Sequence, residues 1–135
     1  MTEQARGIFD ENIIGVIATV NEDGSPWATP VHMAADDKYV YWFSKTTRVH
    51  SQNIARDGKV SLSLFSPDDS KGPKGVYING RAERLTGEQD QLAREVFTGR
   101  TGAPVEVLTR EAAYRLPLGS YDEEKSTGNC WYFYS

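Results

Sequence analysis

Short strand-forming segments joined by tight turns constrain the fold of this chain more than any other feature. Residues 14–21 form a β-branched run that ends in an Asp-Gly turn, and such a turn supplies the positive φ of a hairpin. The next strand is predicted at residues 27–35. Because Pro26 and Pro30 cannot donate ladder hydrogen bonds, we expect this strand to lie at a sheet edge or to carry a bulge.

The third predicted strand, residues 38–44, is densely aromatic. Both of its faces are apolar, with Tyr39, Tyr41 and Phe43 on one side and Val40 and Trp42 on the other. A strand of a small barrel turns only one face to the core. We therefore expect the second apolar face to need a further partner, such as another subunit or a flat ligand.

Further strands and short helices follow. Helices are predicted at residues 3–12, 47–56, 87–99 and 104–112, and strands at 60–65, 76–85, 114–118 and 130–134. Thr86 and Gln89 have the spacing of a capping box for the third helix, which is expected to bury Leu92, Val96 and Phe97. Tight hairpins exclude a βαβ fold, and helices after the third and fifth strands are not typical of a sandwich. The pattern favours a mixed α+β barrel in one domain, residues 1–135.

Charge and composition exclude several classes of function. Fifteen basic and nineteen acidic residues give a net charge of −4, which argues against nucleic acid or an anionic membrane as the main partner. The N-terminus does not resemble a signal peptide, and the longest apolar stretch, residues 13–20, is too short to span a bilayer. Cys130 is the only cysteine, so neither an intrachain disulfide nor a cysteine-based zinc site is expected. We predict a cytoplasmic protein with no metal.

Residues 44–51 carry the clearest chemical pattern. This segment leaves a strand and enters a helix, and helix N-termini attract anions through their unpaired N–H groups. It contains two cations, three hydroxyls and an imidazole: Lys45, Arg48, Ser44, Thr46, Thr47 and His50. A phosphate monoester suits such a mixture of donors. The alternative is a capped helix whose basic residues are simply solvated.

The aromatic strand next to this segment favours a ligand with a ring and a phosphate tail, although a dimer interface without a ligand also accounts for it. Gly80, inside a predicted strand, permits close approach of a ligand or of another backbone, or marks a bulge. His32 and His50 lie on different elements and lack a metal-ligand spacing. No catalytic motif is present, so the catalytic residues are unknown.

Four segments resemble, in the same order, the pyridoxamine 5′-phosphate oxidase-like flavin-binding proteins. They are residues 17–31 (IATVNEDGSPWATPV), 39–44 (YVYWFS), 47–54 (TRVHSQNI) and 75–85 (GVYINGRAERL). The resemblance implies an FMN-binding, Greek-key-like split β-barrel of six to seven mostly antiparallel strands with short helices. It also implies a homodimer with two flavins, in which the partner subunit closes each site.

The resemblance also assigns residues to the cofactor. In this family the strand-end and helix-start segment holds the FMN phosphate, and the second strand runs along the ring. The cofactor-binding residues expected here are Pro30, Val31, His32, Met33, Trp42, Phe43, Ser44, Lys45, Thr46, Arg48, His50 and Ser51.

Three departures separate this chain from the true oxidase. The oxidase has Arg-x-Val-Leu-Leu-Lys where this chain has residues 28–33 (ATPVHM), and Ser-Arg-Lys where this chain has Thr47-Arg48-Val49. The oxidase's C-terminal substrate-binding arginine has no counterpart in residues 127–135. The chain is therefore similar to the general-stress-protein-like members.

Three hypotheses about function remain open from the sequence. The first is a flavin-dependent oxidoreductase that acts on a small-molecule redox substrate. The second is a non-catalytic carrier or sensor of a flavin, a deazaflavin or haem. The third is a dimeric scaffold without a ligand.

Overall fold

The computed structural model describes residues 3–11, 13–66, 75–118 and 131–134. In chain order its elements are α1 (Glu3–Glu11), β1 (Ile14–Val20), β2 (Pro26–Ala35), β3 (Tyr39–Ser44), α2 (Val49–Arg56), β4 (Lys59–Phe65), β5 (Gly75–Arg81), β6 (Glu83–Arg84), α3 (Gly87–Thr101), a short 3₁₀ helix (Val105–Leu108), β7 (Ala112–Pro117) and β8 (Trp131–Tyr134). The strands follow the order β6-β7-β3-β2-β1-β4-β5-β8, and only the pairing of β5 with β8 is parallel. The expected α+β split β-barrel is confirmed.

Strand β2 belongs to both halves of the barrel. From Pro26 to His32 it pairs with β1, and from Met33 to Ala35 it pairs with β3. On its other edge, strand β3 pairs with β7 over its whole length, from Tyr39 to Ser44. The two halves of the sheet therefore separate between β2 and β3, which is the split of the barrel.

Backbone hydrogen bonds show why the prolines are tolerated in β2. Met33 N–H donates to the Ile13 carbonyl, and such bonds alternate along an antiparallel ladder. The even-numbered residues, including Pro26 and Pro30, therefore turn their backbone groups away from β1. No described strand pairs with that edge before Met33, so neither proline removes a needed donor. The expected edge position is confirmed for this half of β2.

Alternating side chains build the barrel core. Ile17, Leu62, Ile78, Val40 and Trp42 are fully buried in it. Strands β5 and β7 approach each other closely across the core. A Cβ on Gly80 would lie 3.2 Å from Leu116 Cδ1, so this glycine permits the approach.

The second apolar face of β3 is covered by the same chain. Tyr41 and Phe43 pack in a separate cluster with Phe97 of α3 and Leu108 of the 3₁₀ helix. The Phe43 and Phe97 rings meet edge to face with centroids 5.1 Å apart. The expectation that this face needs a subunit or a ligand was wrong for most of its length, because a helix far along the chain returns to it.

Other element boundaries and buried positions differ from the predicted ones. The predicted strand at 76–85 is interrupted at Ala82, and the helix at 104–112 shortens to one 3₁₀ turn. Thr86 does precede α3, but its side chain makes no capping hydrogen bond. Leu92, expected inside, is 46% exposed, and Ala93 is buried instead.

Some predictions fall outside the described residues. The sequence also predicts a polar loop at residues 66–75 and an exposed acidic connection at residues 119–128. Residues 67–74, the whole acidic connection and Cys130 lie outside the described residues. Among the helices of the described ranges, none combines the length and apolar character needed to cross a membrane.

Gly58 provides a test of the packing between β4 and the β5–β6 bend. Its carbonyl accepts the Ala82 N–H at 2.8 Å, and a Cβ at this position would lie 2.8 Å from the Ala82 carbonyl oxygen. Because that oxygen belongs to rigid backbone, Gly58→Ala is expected to lower the free energy of unfolding by about 1–3 kcal/mol. Urea denaturation measures the change.

Gly99→Ala is the matched control for Gly58→Ala. Gly99 lies in α3 with nothing within 4 Å of its added Cβ, so this variant is expected to gain up to about 1 kcal/mol. Equal effects at the two glycines would contradict the steric explanation.

Candidate functional site

A cavity of about 820 Å³ lies at the split between β2 and β3. One wall is the part of β2 that pairs with β1 but not with β3, from Trp27 to His32, and the opposite wall is the end of β3 with the start of α2. Phe97 and Leu108 close a third side. The cavity thus occupies the place where two strands of the barrel stop pairing.

Backbone polar groups point into this split from both strands. Leu118 N–H donates to the Lys38 carbonyl, so by alternation the backbone of Phe43 faces β2 instead of β7. The backbone of His32 faces β3 from the other side. The pairing of Met33 with Trp42 uses the His32 carbonyl and the Phe43 N–H. Backbone groups further back along β2, such as the Pro30 carbonyl, face the split without a described strand partner, so the slot presents an acceptor as well as apolar side chains.

The polar end of the cavity lies where β3 gives way to α2. Ser44, Lys45, Arg48 and His50 line it together. Lys45 and Arg48 are exposed, and among the described residues neither side chain has an ion-pair partner. Two unpaired cations beside the first turn of a helix form an environment that favours an anion.

His50 and Ser44 form a buried pair within this end. His50 Nε2 and Ser44 Oγ are 2.8 Å apart, and the two residues are 6% and 7% exposed. Burial, and then the charge of Arg48, lower the pKa of His50 below its ordinary value. The imidazole is therefore held in its neutral form, and the hydrogen bond orients the Ser44 hydroxyl at the cavity wall.

Helix α2 is fixed to the β1–β2 hairpin by one amide side chain. Asn53 Nδ2 donates to Thr19 Oγ1 and to Asn21 Oδ1, both at 2.9 Å. Arg56 in turn donates to Asn53 Oδ1 at 2.9 Å. Thr19 and Asn53 are buried, so these bonds hold the helix start, with Arg48 and His50, at a set distance from the sheet.

The structure brings together eight of the twelve predicted cofactor-binding residues. Those that line the cavity are Pro30, Val31, His32, Phe43, Ser44, Lys45, Arg48 and His50. Met33 and Trp42 are placed in the barrel core instead, because they lie opposite each other where β2 and β3 still pair. Ser51 and Thr46 line a separate cleft, because successive residues of a helix or a tight turn face different sides.

Several lining residues were missed by the sequence analysis. Phe97, Thr101, Ala103, Leu108 and Glu111 come from α3 and the segment that follows it. Their distance from β2 in sequence gave no indication that they reach it. Trp27 shares a face with Thr29 and Val31, and this spacing of two was a usable signal.

No group of three or more His, Cys, Asp or Glu side chains that could hold a metal ion occurs in the parts of the chain that the structure describes. The arrangement is that of an anion-binding end joined to a partly apolar slot. Such a site can hold a planar molecule with a negatively charged tail.

Comparison with known proteins supports the fold described above. The family model for pyridoxamine 5′-phosphate oxidase matches residues 1–116. No curated protein matches the chain.

Among solved structures, a heme binding protein from Mycobacterium smegmatis is similar, with a TM-score of 0.75 and 24% identity over 84% of this chain and 49% of that one. HutZ, a heme storage protein from Vibrio cholerae, has a TM-score of 0.73 and 15% identity over 84% of this chain and 87% of that one. An FAD-binding protein from Mesorhizobium loti has a TM-score of 0.60 and 19% identity over 86% of this chain and 96% of that one. At these identities the likenesses show the fold, and the chain spans about half the length of the first.

The lowered pKa of His50 predicts a pH dependence of stability. Between the ordinary histidine pKa of 6.5 and the lower folded value, the unfolded chain binds more protons than the folded one. The free energy of unfolding is therefore expected to fall as pH decreases through this window. His50→Gln should flatten the dependence, as measured by urea denaturation between about pH 8 and about pH 5.

The control is His32→Gln, at the only other histidine of the chain, which should retain the parent's dependence. An unchanged slope in His50→Gln would show that the pH response arises elsewhere.

Proposed function

We propose, from the premise that this chain belongs to the pyridoxamine 5′-phosphate oxidase family, that its split cavity binds FMN and serves redox chemistry on a small molecule in the cytoplasm. One observation carries the proposal: two cations without ion-pair partners among the described residues, and the buried Ser44–His50 pair, lie at one end of an apolar slot. This polarity matches a ligand with a phosphate tail and a planar ring.

The polar end fits a phosphate monoester. Lys45 and Arg48 would supply charge, and Ser44 would supply a hydroxyl whose direction His50 sets. Arginine binds phosphate oxygens through paired N–H groups, and lysine adds a compact charge. A ligand phosphate would replace water around both cations, which have no carboxylate partner among the described residues.

The slot fits a heterocyclic ring. Val31, Phe43 and Trp27 offer apolar surface, and the Pro30 carbonyl, which has no described strand partner, offers a hydrogen-bond acceptor along the split. The flavin ring has apolar faces and an edge of alternating N–H and carbonyl groups, so both kinds of surface are used. A deazaflavin has the same edge and a phosphorylated tail, and the two ligands are told apart by absorption.

A bound flavin supplies the electron transfer, and the chain's own residues bind, orient and shield it. The described cavity offers one carboxylate, Glu111, and the lowered pKa keeps His50 from serving as a proton donor at neutral pH. We infer an oxidoreductase whose small substrate enters over the ring. A non-catalytic flavin carrier is the alternative, and the two differ in whether NAD(P)H and a quinone acceptor cycle the bound flavin.

Haem is a second candidate ligand, and His32 is the observation that favours it. This imidazole is exposed and lines the cavity, where it could serve as an axial ligand, while Lys45 and Arg48 would face the propionates. Two of the similar folds are named as heme proteins. The Pro30 carbonyl along the split favours the flavin, which can donate a hydrogen bond to it, because the porphyrin edge between the propionates and the far side is apolar.

We also propose a homodimer. The outer face of β1 exposes Ile14, Val16 and Val20, and in the register Val16 lies beside Pro30 and Val20 beside Pro26. An apolar row of this kind on a sheet face is typical of a subunit interface. It adjoins the wall of the cavity, so a second copy seated there would also cover the open side of the site.

Comparison of FMN with riboflavin tests the assignment of the phosphate end. Arg48→Gln and Lys45→Gln should each weaken FMN binding by about 1.5–3 kcal/mol, or about 10- to 150-fold, because each removes a charge-assisted contact. Riboflavin lacks the phosphate, so its affinity should not change. Quenching of flavin fluorescence on titration measures both affinities.

The control for these variants is Lys59→Gln, which removes an exposed cation from β4. Equal losses for FMN and riboflavin would contradict the phosphate assignment. The haem alternative would be established if the parent protein binds neither flavin but develops a Soret band with hemin, and if His32→Ala loses that band.

The interface is tested by a charge placed on the outer face of β1. Val16→Glu is expected to convert the dimer to a monomer and to weaken FMN binding at least tenfold, because the site loses its cover. Light scattering after size-exclusion chromatography measures the mass.

Leu92→Glu is the matched control, since Leu92 is 46% and Val16 39% exposed but Leu92 lies on α3. The interface is wrong if the parent protein is monomeric, or if both variants remain dimeric.

A further inference from the structure

A second cleft lies on the opposite side of α2 from the split cavity. It has a volume of about 480 Å³ and separates α2 from the bend between β5 and β6. Its lining includes Thr46, Ser51, Ile54, Arg81, Arg84 and Tyr114. The two cavities share none of these residues, so the cleft is a separate feature of the molecule.

Ser51 is the unexplained group in this cleft. The residue is 2% exposed, and its Oγ has no hydrogen-bond partner among the described residues. A buried hydroxyl without a partner costs stability. It is one of two buried side-chain polar atoms in the described structure that lack a partner, and the other is Trp42 Nε1.

The charges around the cleft leave an excess of positive charge. Glu83 is engaged by Arg115 at 2.7 Å, and Asp57 approaches Arg81 at 3.4 Å. Arg84 has no ion-pair partner among the described residues. An anion that enters the cleft therefore meets both an uncompensated guanidinium and an unsatisfied hydroxyl among the lining residues.

We propose that this cleft binds a small phosphate monoester, independently of the ligand in the split. Arg84 and Arg81 supply charge, and Ser51 and Thr46 supply hydroxyl donors. A phosphate has enough acceptor oxygens to use donors from both sides of the cleft. Ile54 and Tyr114 give an apolar floor for the organic part, which the volume of the cleft accommodates.

Phenyl phosphate is a suitable probe because it combines a phosphate with a small ring. We expect isothermal titration calorimetry on the full chain to show binding that persists in Arg48→Gln, which weakens only the split cavity. Ser51→Ala and Arg84→Gln should each lower the affinity of this binding about tenfold, the effect of losing one hydrogen bond to a charged group. Lys38→Gln removes an equal charge from the exposed β2–β3 turn and should have no effect.

The stability of Ser51→Ala separates a binding role from a structural one. Since the hydroxyl makes no hydrogen bond in the described structure, its removal should leave the thermal midpoint unchanged or raise it. A variant that is less stable than the parent would show that the hydroxyl is satisfied within the fold, which would contradict the proposal.

Amide chemical shifts locate the bound probe. The proposal expects phenyl phosphate to shift the Ser51, Ala82 and Arg84 signals. It is overturned if no binding is detected at millimolar probe, if the shifts are confined to His32, Phe43 and Ser44, or if Ser51→Ala and Arg84→Gln bind as the parent does.

Discussion

The separation of β2 from β3 is the constraint on which the rest of the structure depends. The two strands pair only next to the turn that joins them, where Met33 to Ala35 of β2 lie opposite Val40 to Trp42 of β3. Further from the turn they diverge, although both continue as extended strands. A full ladder here would satisfy the backbone but would leave no room between the strands. Pro26 and Pro30 lower the free-energy cost of this divergence, because each removes a backbone N–H donor that would otherwise be unpaired on the open edge. The same prolines protect that edge from pairing with another chain.

The split would be only an apolar slot without the placement of α2. The Asn53 bonds to Thr19 and Asn21 tie this helix to the hairpin on the far side of the sheet, so the helix start cannot drift from the strand end. Arg48 and Lys45 are thereby kept near the slot while remaining exposed. The charges need this arrangement, because burying them would cost more than an anion could return. His50 is the part of this end that is buried, and its lowered pKa keeps it neutral there.

The sequence predicted the parts of this fold that depend on local pattern. Alternation identified the strands, and the turn residues identified the hairpins. The hydroxyls and cations around residue 48 identified the polar end of the cavity. What it could not supply were contacts made over long separations: the return of Phe97 and Leu108 to the aromatic strand, and the inward direction of Trp42. The face of a helix on which a residue lies also depends on packing, so Ser51 was expected beside His50 and instead lies across the helix from it.

The division between backbone and side chain bears on how one barrel can serve different ligands. The slot arises from strand divergence, and its β2 wall is held by the backbone ladder with β1, so side-chain substitution leaves the slot in place. Preference for a ligand then rests on few side chains. Lys45 and Arg48 favour any anionic tail, whether phosphate or propionate, and do not discriminate on their own. Under the proposed function, discrimination would fall to the ring. A heterocycle with polar edges could donate to the Pro30 carbonyl, which has no described strand partner, whereas a porphyrin would leave that carbonyl unused and could instead use the exposed imidazole of His32.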